Sequence, residues 1–171
     1  MSGPMRVLTV RQPWAWAIIH GGKDIENRIR NIAGEYRGPV AIHVALNLDY
    51  EAVSPLDIRV AHVVGELARA GIREPRAMVP DLISHPDEHR HHVSPWYGNR
   101  GAIIGVVNLA DVHPETECWN GNPCSPWAMG RYHFALENPR PLVRPIPYKG
   151  ALGLRKMAAD FEALVWAQVT S

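Results

Sequence analysis

Gly21-Gly22-Lys23-Asp24-Ile25-Glu26-Asn27-Arg28 ends one element and begins another. Trp14 to His20, just upstream, is apolar and short, as a buried helix would be. Two glycines then let the backbone turn sharply, because positive φ costs them little. If Ile25 to Arg28 is extended, Glu26 and Arg28 share one face and Ile25 and Asn27 the other. A short polar strand carrying both charge signs is poor core material. It reads as one wall of a polar pocket, with Lys23 at the turn.

Working outward, Arg6-Val7-Leu8-Thr9-Val10 reads as a strand rich in β-branched residues. Arg11-Gln12-Pro13 breaks it, and Pro13 suits the first turn of a helix. Pro39 to Ala45 is a further strand. In alternation His43 points with Ala41 and Ala45, opposite Val40, Ile42 and Val44. His43 therefore faces a pocket lined by small residues or is a hydrogen-bonded histidine near the core surface; both readings stand. Gly101 to His113 is the clearest β-signal, and Gly105 within it points to a bulge or a barrel bend. Tyr132, Phe134 and Leu136 alternate with His133, Ala135 and Glu137. Pro139, Pro141, Pro145 and Pro147 make the next stretch an extended edge. Gly150 and Gly153 mark a loop where the backbone turns or approaches something closely. The chain closes with a helix carrying Met157, Phe161, Leu164 and Val165 on one face.

Residues 46–98 read as a helical insertion within a single domain spanning 1–171. Ser54, Pro55 and Asp57 form a helix start, and Leu56, Val60, Val63, Val64 and Leu67 recur at helical spacing. His85, His89, His91 and His92 cluster there, but Pro86 interrupts the helix that would let His85 and His89 share a metal. They read as a solvated polar face.

The chain has 171 residues, 46% hydrophobic and 20% charged, the composition of an ordinary soluble domain. No apolar run approaches the roughly 18 residues that suggest a membrane span. The first residues lack the apolar core of a signal peptide, so the expected location is the cytoplasm. Cys118 and Cys124 are then expected to be free thiols; a disulfide across residues 119–123 is the sterically feasible alternative. His113 and His133 could complete four metal ligands with them, but the spacing matches no common zinc pattern. The sequence is therefore read as holding no metal and no cofactor. Net charge is +1, unevenly spread. Residues 1–44 carry six Lys/Arg against three Asp/Glu, and residues 131–156 six against one. If these blocks meet, they form a basic surface for an anionic partner. No Walker, Gly-x-Gly-x-x-Gly or Gly-x-Ser-x-Gly pattern occurs.

Leu8-Thr9-Val10-Arg11-Gln12-Pro13-Trp14-Ala15 followed by Gly22-Lys23-x-x-Glu26-x-Arg28 resembles the ASCH domain of the PUA-like superfamily. Ser125-Pro126-Trp127, Tyr132-His133-Phe134, Leu136 to Pro141 and Pro145-Ile146-Pro147-x-x-Gly150-Ala151-Leu152-Gly153-Leu154 extend the likeness over most of residues 6–154. The resemblance implies an α+β fold, a PUA-like small β-barrel flanked by helices, with a cleft beside the lysine-bearing turn. It implies binding of RNA or modified nucleobases. In some members it implies hydrolysis of acylated cytidine-type nucleosides or of RNA. Where the amidohydrolase relatives have a threonine three residues after the lysine, this chain has Glu26.

Three readings follow. In the first, the cleft binds RNA, another single-stranded nucleic acid, or a nucleotide- or nucleobase-type ligand such as a modified nucleoside. Lys23 and Arg28 meet phosphate, Trp14 or Trp127 stacks on a base, and Gln12 or Glu26 reads a base edge; His43 lines the pocket. Arg131, with Arg140, Arg144 and Lys149, extends the basic track, and Trp16 packs in the core. In the second, the chain is a metal-independent hydrolase, an amidohydrolase on N4-acylated cytidine-type nucleosides or a ribonuclease. Lys23 then activates or polarises, Glu26 is general base, and His43 or Ser125 assists. In the third, the acidic insertion docks a partner protein.

Overall fold

The structure, a computed structural model, is described for residues 3–47, 49, 99–118 and 123–170. Among these residues six strands are present: β1 Arg6–Val10, β2 Ile25–Arg28, β3 Gly38–Val44, β4 Ala102–Pro114, β5 Tyr132–Pro147 and β6 Leu154–Lys156. Two α-helices among the described residues accompany them, α1 Trp14–His20 and α2 Ala159–Gln168, with a 3₁₀ turn at Glu115–Glu117. The strands form one sheet in the order β2-β5-β4-β3-β1-β6. β1 runs parallel to β3, and every other pair is antiparallel.

β4 and β5 are the spine. Their pairing slips at Ile103/Gly105, Val106/Asn108 and Leu109/Asp111, and such bulges bend and twist a strand. Gly105, flagged by sequence as a bulge, sits at the first slip. A Cβ there would fall 2.9 Å from the Arg140 carbonyl oxygen and 2.9 Å from Ile19 Cγ1. The missing side chain lets α1 seat on the sheet. The bends curl the sheet into a small, partly open barrel. β2 and β1 stand first and fifth in the order, yet Arg28 Nη2 donates to the Thr9 carbonyl at 3.1 Å.

Alternation along the strands sends side chains to two apolar layers. Leu8, Val10, Ile42, Val44, Val107 and Phe134 pack with Ile18 and Ile19 of α1. Val7, Ala41, Ile103 and Val106 turn the other way, onto Met5 just before β1 and onto Met157 and Val165 of the C-terminal segment. β3 is buried on both faces for this reason. The prolines of β5 follow the expectation of an edge, because β2 pairs only with Tyr132–Ala135. The α2 face needs correction. Val165 is fully buried, but Leu164 is 57% exposed, and Met157 precedes the helix, its amide bonded to Met5 O. Neighbours on a helix lie about 100° apart, so Leu164 and Val165 cannot both face the sheet.

The expected helix start at Ser54 and the histidines of 85–92 lie outside the described residues. The chain leaves the barrel after Val44 and re-enters at Gly101, whose amide donates to Val44 O at 2.8 Å. Among the described residues no helix is long and apolar enough to cross a membrane.

Candidate functional site

The turn after α1 is built as its glycines require. Gly22 has φ +72°, and a Cβ on Gly21 would meet Ala17 Cα at 2.9 Å. The amides of Gly21 and Lys23 both donate to Ala17 O. This geometry folds Lys23 back under β2. Its Nζ donates to Glu26 Oε2 at 2.9 Å and to the Ile25 carbonyl. Glu26 Oε1 receives Arg28 Nη2 at 3.1 Å, so Glu26 and Arg28 share a face as alternation required. Lys23 is 4% exposed and Glu26 8%. A buried carboxylate thus holds one cation on each oxygen. Lysine has three N–H donors, and two of them have partners among the described residues.

His43 enters the same space from β3. It stands opposite Thr9 in the parallel register, so both side chains point to one face. His43 Nε2 lies 2.9 Å from the Tyr148 carbonyl, which can only accept, so Nε2 carries the proton. Nδ1 is then an acceptor, 3.2 Å from the Thr9 hydroxyl. Burial pushes the His43 pKa down, against the pull of the Tyr148 carbonyl, and favours the neutral ring. Both earlier readings of His43 are therefore met: it is hydrogen-bonded at the core surface and it lines the cleft. Gly150 lies against it, where a Cβ would fall 2.6 Å from Nδ1.

These groups form part of a cleft of about 1200 Å³ between β1, β2 and the loops 126–130 and 148–153. Trp14 and Trp127 form an aromatic wall, their rings edge-on with centroids 6.3 Å apart. Trp14 Nε1 donates to Asp49 at 2.8 Å, and Lys23 Nζ lies 5.9 Å from the Trp14 ring centre. Arg11 and Lys149 line the cleft from exposed positions. The first and third basic blocks therefore do meet here, through Arg11, Lys23, Arg28 and Lys149.

Five of the expected ligand-binding residues come together: Trp14, Lys23, Glu26, Arg28 and His43, joined by Trp127 as the sixth. Four other expectations are corrected. Gln12 is fully buried and its Oε1 accepts the Trp16 amide at 2.9 Å, so it supports the start of α1 instead of reading a base. Ser125 is buried outside the cleft lining; its hydroxyl donates to Asp24 at 2.5 Å and accepts the Trp127 amide at 3.1 Å. That is a clamp on the tryptophan loop, with no histidine among the described residues bonded to it as a nucleophile would need. Arg131 is exposed and absent from the cleft wall, although Met129 and Gly130 just before it line the cleft. Arg140 stacks over Trp166 of α2 instead of extending a track into the cleft. Trp16 is core, as read.

Sequence reasoning missed Thr9 and Asn27. Asn27 Nδ2 donates to Trp127 O at 2.9 Å and its Oδ1 accepts the Met129 amide at 2.8 Å, holding the tryptophan loop to β2. A polar residue in each of two otherwise apolar-facing positions was the available signal.

A second cluster lies where β4 and β5 end. His113 and His133 are direct cross-strand partners, and Cys118 and Cys124 approach them from the connecting loop. One donor atom from each of the four lies within 4.8 Å of every other. The spacing that argued against these four as a set says nothing of this register. Burial, then the neighbouring Cys118, pushes the Cys124 thiol up to about 11. Neither cysteine is in a disulfide.

No protein-family model matches the chain, and no match is found among curated proteins. Among solved structures it is similar to ASCH from Zymomonas mobilis, at 11% identity and a TM-score of 0.47, over 98% of this chain and 97% of that one. A tyrosine-to-phenylalanine variant of the same protein gives 11% identity and a TM-score of 0.49, over 98% and 100% of the two chains. A serine-to-alanine variant of it gives 12% and 0.48, over 98% and 97%.

Proposed function

We propose that the cleft binds a nucleobase-type ligand, as part of RNA or as a free modified nucleoside. The observation that carries this is the Lys23–Glu26–Arg28 triad, its lysine and glutamate buried and its arginine half-buried, beside the Trp14–Trp127 wall and under a rim bearing Arg11 and Lys149. A base needs an apolar face to stack on and a few polar groups to read its edge. Half-buried Trp14 offers the first, with buried Trp127 set edge-on behind it. Glu26 offers acceptor lone pairs beyond those its two cations occupy, suited to an exocyclic amine. Lys23 offers its third N–H to a ring carbonyl. The exposed rim cations suit phosphate or bulk anionic character.

A hydrolytic reading has one observation in its favour. Glu26 and Lys23 sit side by side at the cleft wall, a carboxylate to orient water and an ammonium to stabilise oxyanion charge. The lysine is ion-paired, so its part would be electrostatic and not that of a base.

Tryptophan fluorescence titrations with cytidine, N4-acetylcytidine and a short single-stranded RNA test the proposal, with liquid chromatography following N4-acetylcytidine and RNA integrity. Trp14→Ala should weaken binding by about 1–3 kcal/mol, and added salt should weaken RNA more than nucleoside. Unchanged RNA affinity in Lys23→Ala/Arg28→Ala protein that remains folded by circular dichroism sinks the binding site as drawn. Turnover lost in Glu26→Gln establishes the hydrolytic reading.

A further inference from the structure

We propose that His113, Cys118, Cys124 and His133 are the four ligands of a structural zinc ion at the base of the β4–β5 hairpin. The contacts among them are poor hydrogen bonds but good polyhedron edges. Cys118 Sγ lies 3.2 Å from His133 Nδ1, Cys124 Sγ 3.4 Å from the same nitrogen, and His113 Nε2 3.4 Å from Cys124 Sγ. Zinc–sulfur and zinc–nitrogen bonds of about 2.3 and 2.0–2.1 Å, set tetrahedrally, place sulfur and nitrogen about 3.5 Å apart. The three sulfur–nitrogen separations lie close to that edge, and every pair of donors is within 4.8 Å.

The surroundings agree. His113 Nδ1, the nitrogen facing away from the cluster, lies 2.8 Å from Asp111 Oδ2. That carboxylate fixes Nε2 as the donor, the arrangement that orients metal-bound histidines. The His113 and His133 rings stand at 89°, so their donor nitrogens converge without the rings stacking. His133 is 2% exposed. Two thiolates with two imidazoles select a tetrahedral, borderline-soft divalent ion, which is the zinc pattern. All four positions come from protein, so the site is closed and structural. Binding Zn²⁺ would release the two thiol protons to solvent and leave a neutral site.

The site is independent of the cleft proposal, but the chain links them. Cys124 directly precedes Ser125-Pro126-Trp127, so the ion would anchor one end of the segment that carries the aromatic wall.

The test uses the full chain, purified under a non-chelating reductant, stripped with EDTA and reloaded with zinc sulfate. Zinc is counted by elemental analysis after gel filtration, and Co²⁺ loading is followed by visible absorption. One Zn²⁺ per chain, a raised Tm on loading, and tetrahedral Co²⁺ bands with thiolate charge transfer are expected. Cys118→Ser/Cys124→Ser should lose the metal and the charge-transfer band. Asp111→Asn keeps every donor and should weaken zinc by roughly 10-fold or more, which keeps the proposal testable if the double variant misfolds. Replacing His85, His89, His91 and His92 with alanine should leave the stoichiometry unchanged. Metal absent from the reduced wild type, metal retained by the double cysteine variant, or metal lost only with the four insertion histidines would each overturn it.

Discussion

The cleft triad and the His/Cys cluster hang on neighbouring rungs of β2, β5 and β4, and they differ in how their polar atoms are answered. In the triad Glu26 takes a cation on each oxygen, and Lys23 has both a carboxylate and a carbonyl. In the cluster, three of the four donors meet mainly one another, and His133 Nε2 is buried without a partner among the described residues. Burying a polar group is tolerated when it is paired and costly when it is not. The charges of the triad are thus matched within the chain, although Arg28 Nε, like His133 Nε2, is buried without a hydrogen-bond partner among the described residues; the donor atoms of the cluster have chiefly one another.

The comparison breaks most sharply at Glu26. Glu26→Ala leaves Lys23 and Arg28 facing each other with no carboxylate, and removing one partner of a buried ion pair costs about 3–5 kcal/mol. Urea unfolding of this variant should show a loss of that order. In metal-free protein Cys118→Ser should cost far less, roughly 0.5 kcal/mol as for most surface changes. Equal losses would mean that the two regions are completed alike.

A smaller effect is expected at Gly150. A Cβ 2.6 Å from His43 Nδ1 must move the histidine or the loop. Overpacking of this kind costs about 1–3 kcal/mol. Gly150→Ala should lower Tm and weaken nucleoside binding together. Normal affinity in this variant would show that His43 and the 148–153 loop do not shape the cleft.

The smallest effect is one of pH. Burial lowers the His43 pKa below its ordinary value of 6.5, so below pH 6.5 the unfolded chain binds protons that the folded chain resists. Stability from this group is fully present above pH 6.5 and drains as pH falls from there through the lowered folded value. His43→Gln should flatten the fall measured by chemical denaturation between neutral and mildly acidic pH. His20 carries a shift of the same sign and preserves part of the slope. An identical profile in wild type and variant would place the pH response elsewhere.

The same contrast explains what the sequence could reveal. Lys23, Glu26 and Arg28 lie within six residues, so strand alternation and one turn suffice to put them together. The glycine at 105 and the prolines of β5 were legible because their backbone preferences are local. His113 and His133 meet only because β4 and β5 pair in one register out of several, and three bulges shift that register along the way. No spacing rule contains those bulges. Gln12 and Ser125 were misread for a related reason. A polar side chain beside a tryptophan-proline segment can serve the ligand or the backbone, and only the position of the nearest amide or carboxylate decides. Both found a partner within the chain: the Trp16 amide for Gln12 and Asp24 for Ser125.

The hydrogen bond from Gly101 to Val44 has an engineering consequence. The barrel's exit and return points are adjacent, so whatever lies between them is, for the sheet, a closed parenthesis. Closing such a loop depends only weakly on its length, about 0.6 kcal/mol for each doubling. The Val44–Gly101 junction is therefore a natural port. Beyond Asp49, whose carboxylate holds Trp14 Nε1, chain can be shortened there, or a foreign module spliced in, while strand order, the triad and the His/Cys cluster keep the pairings that define them.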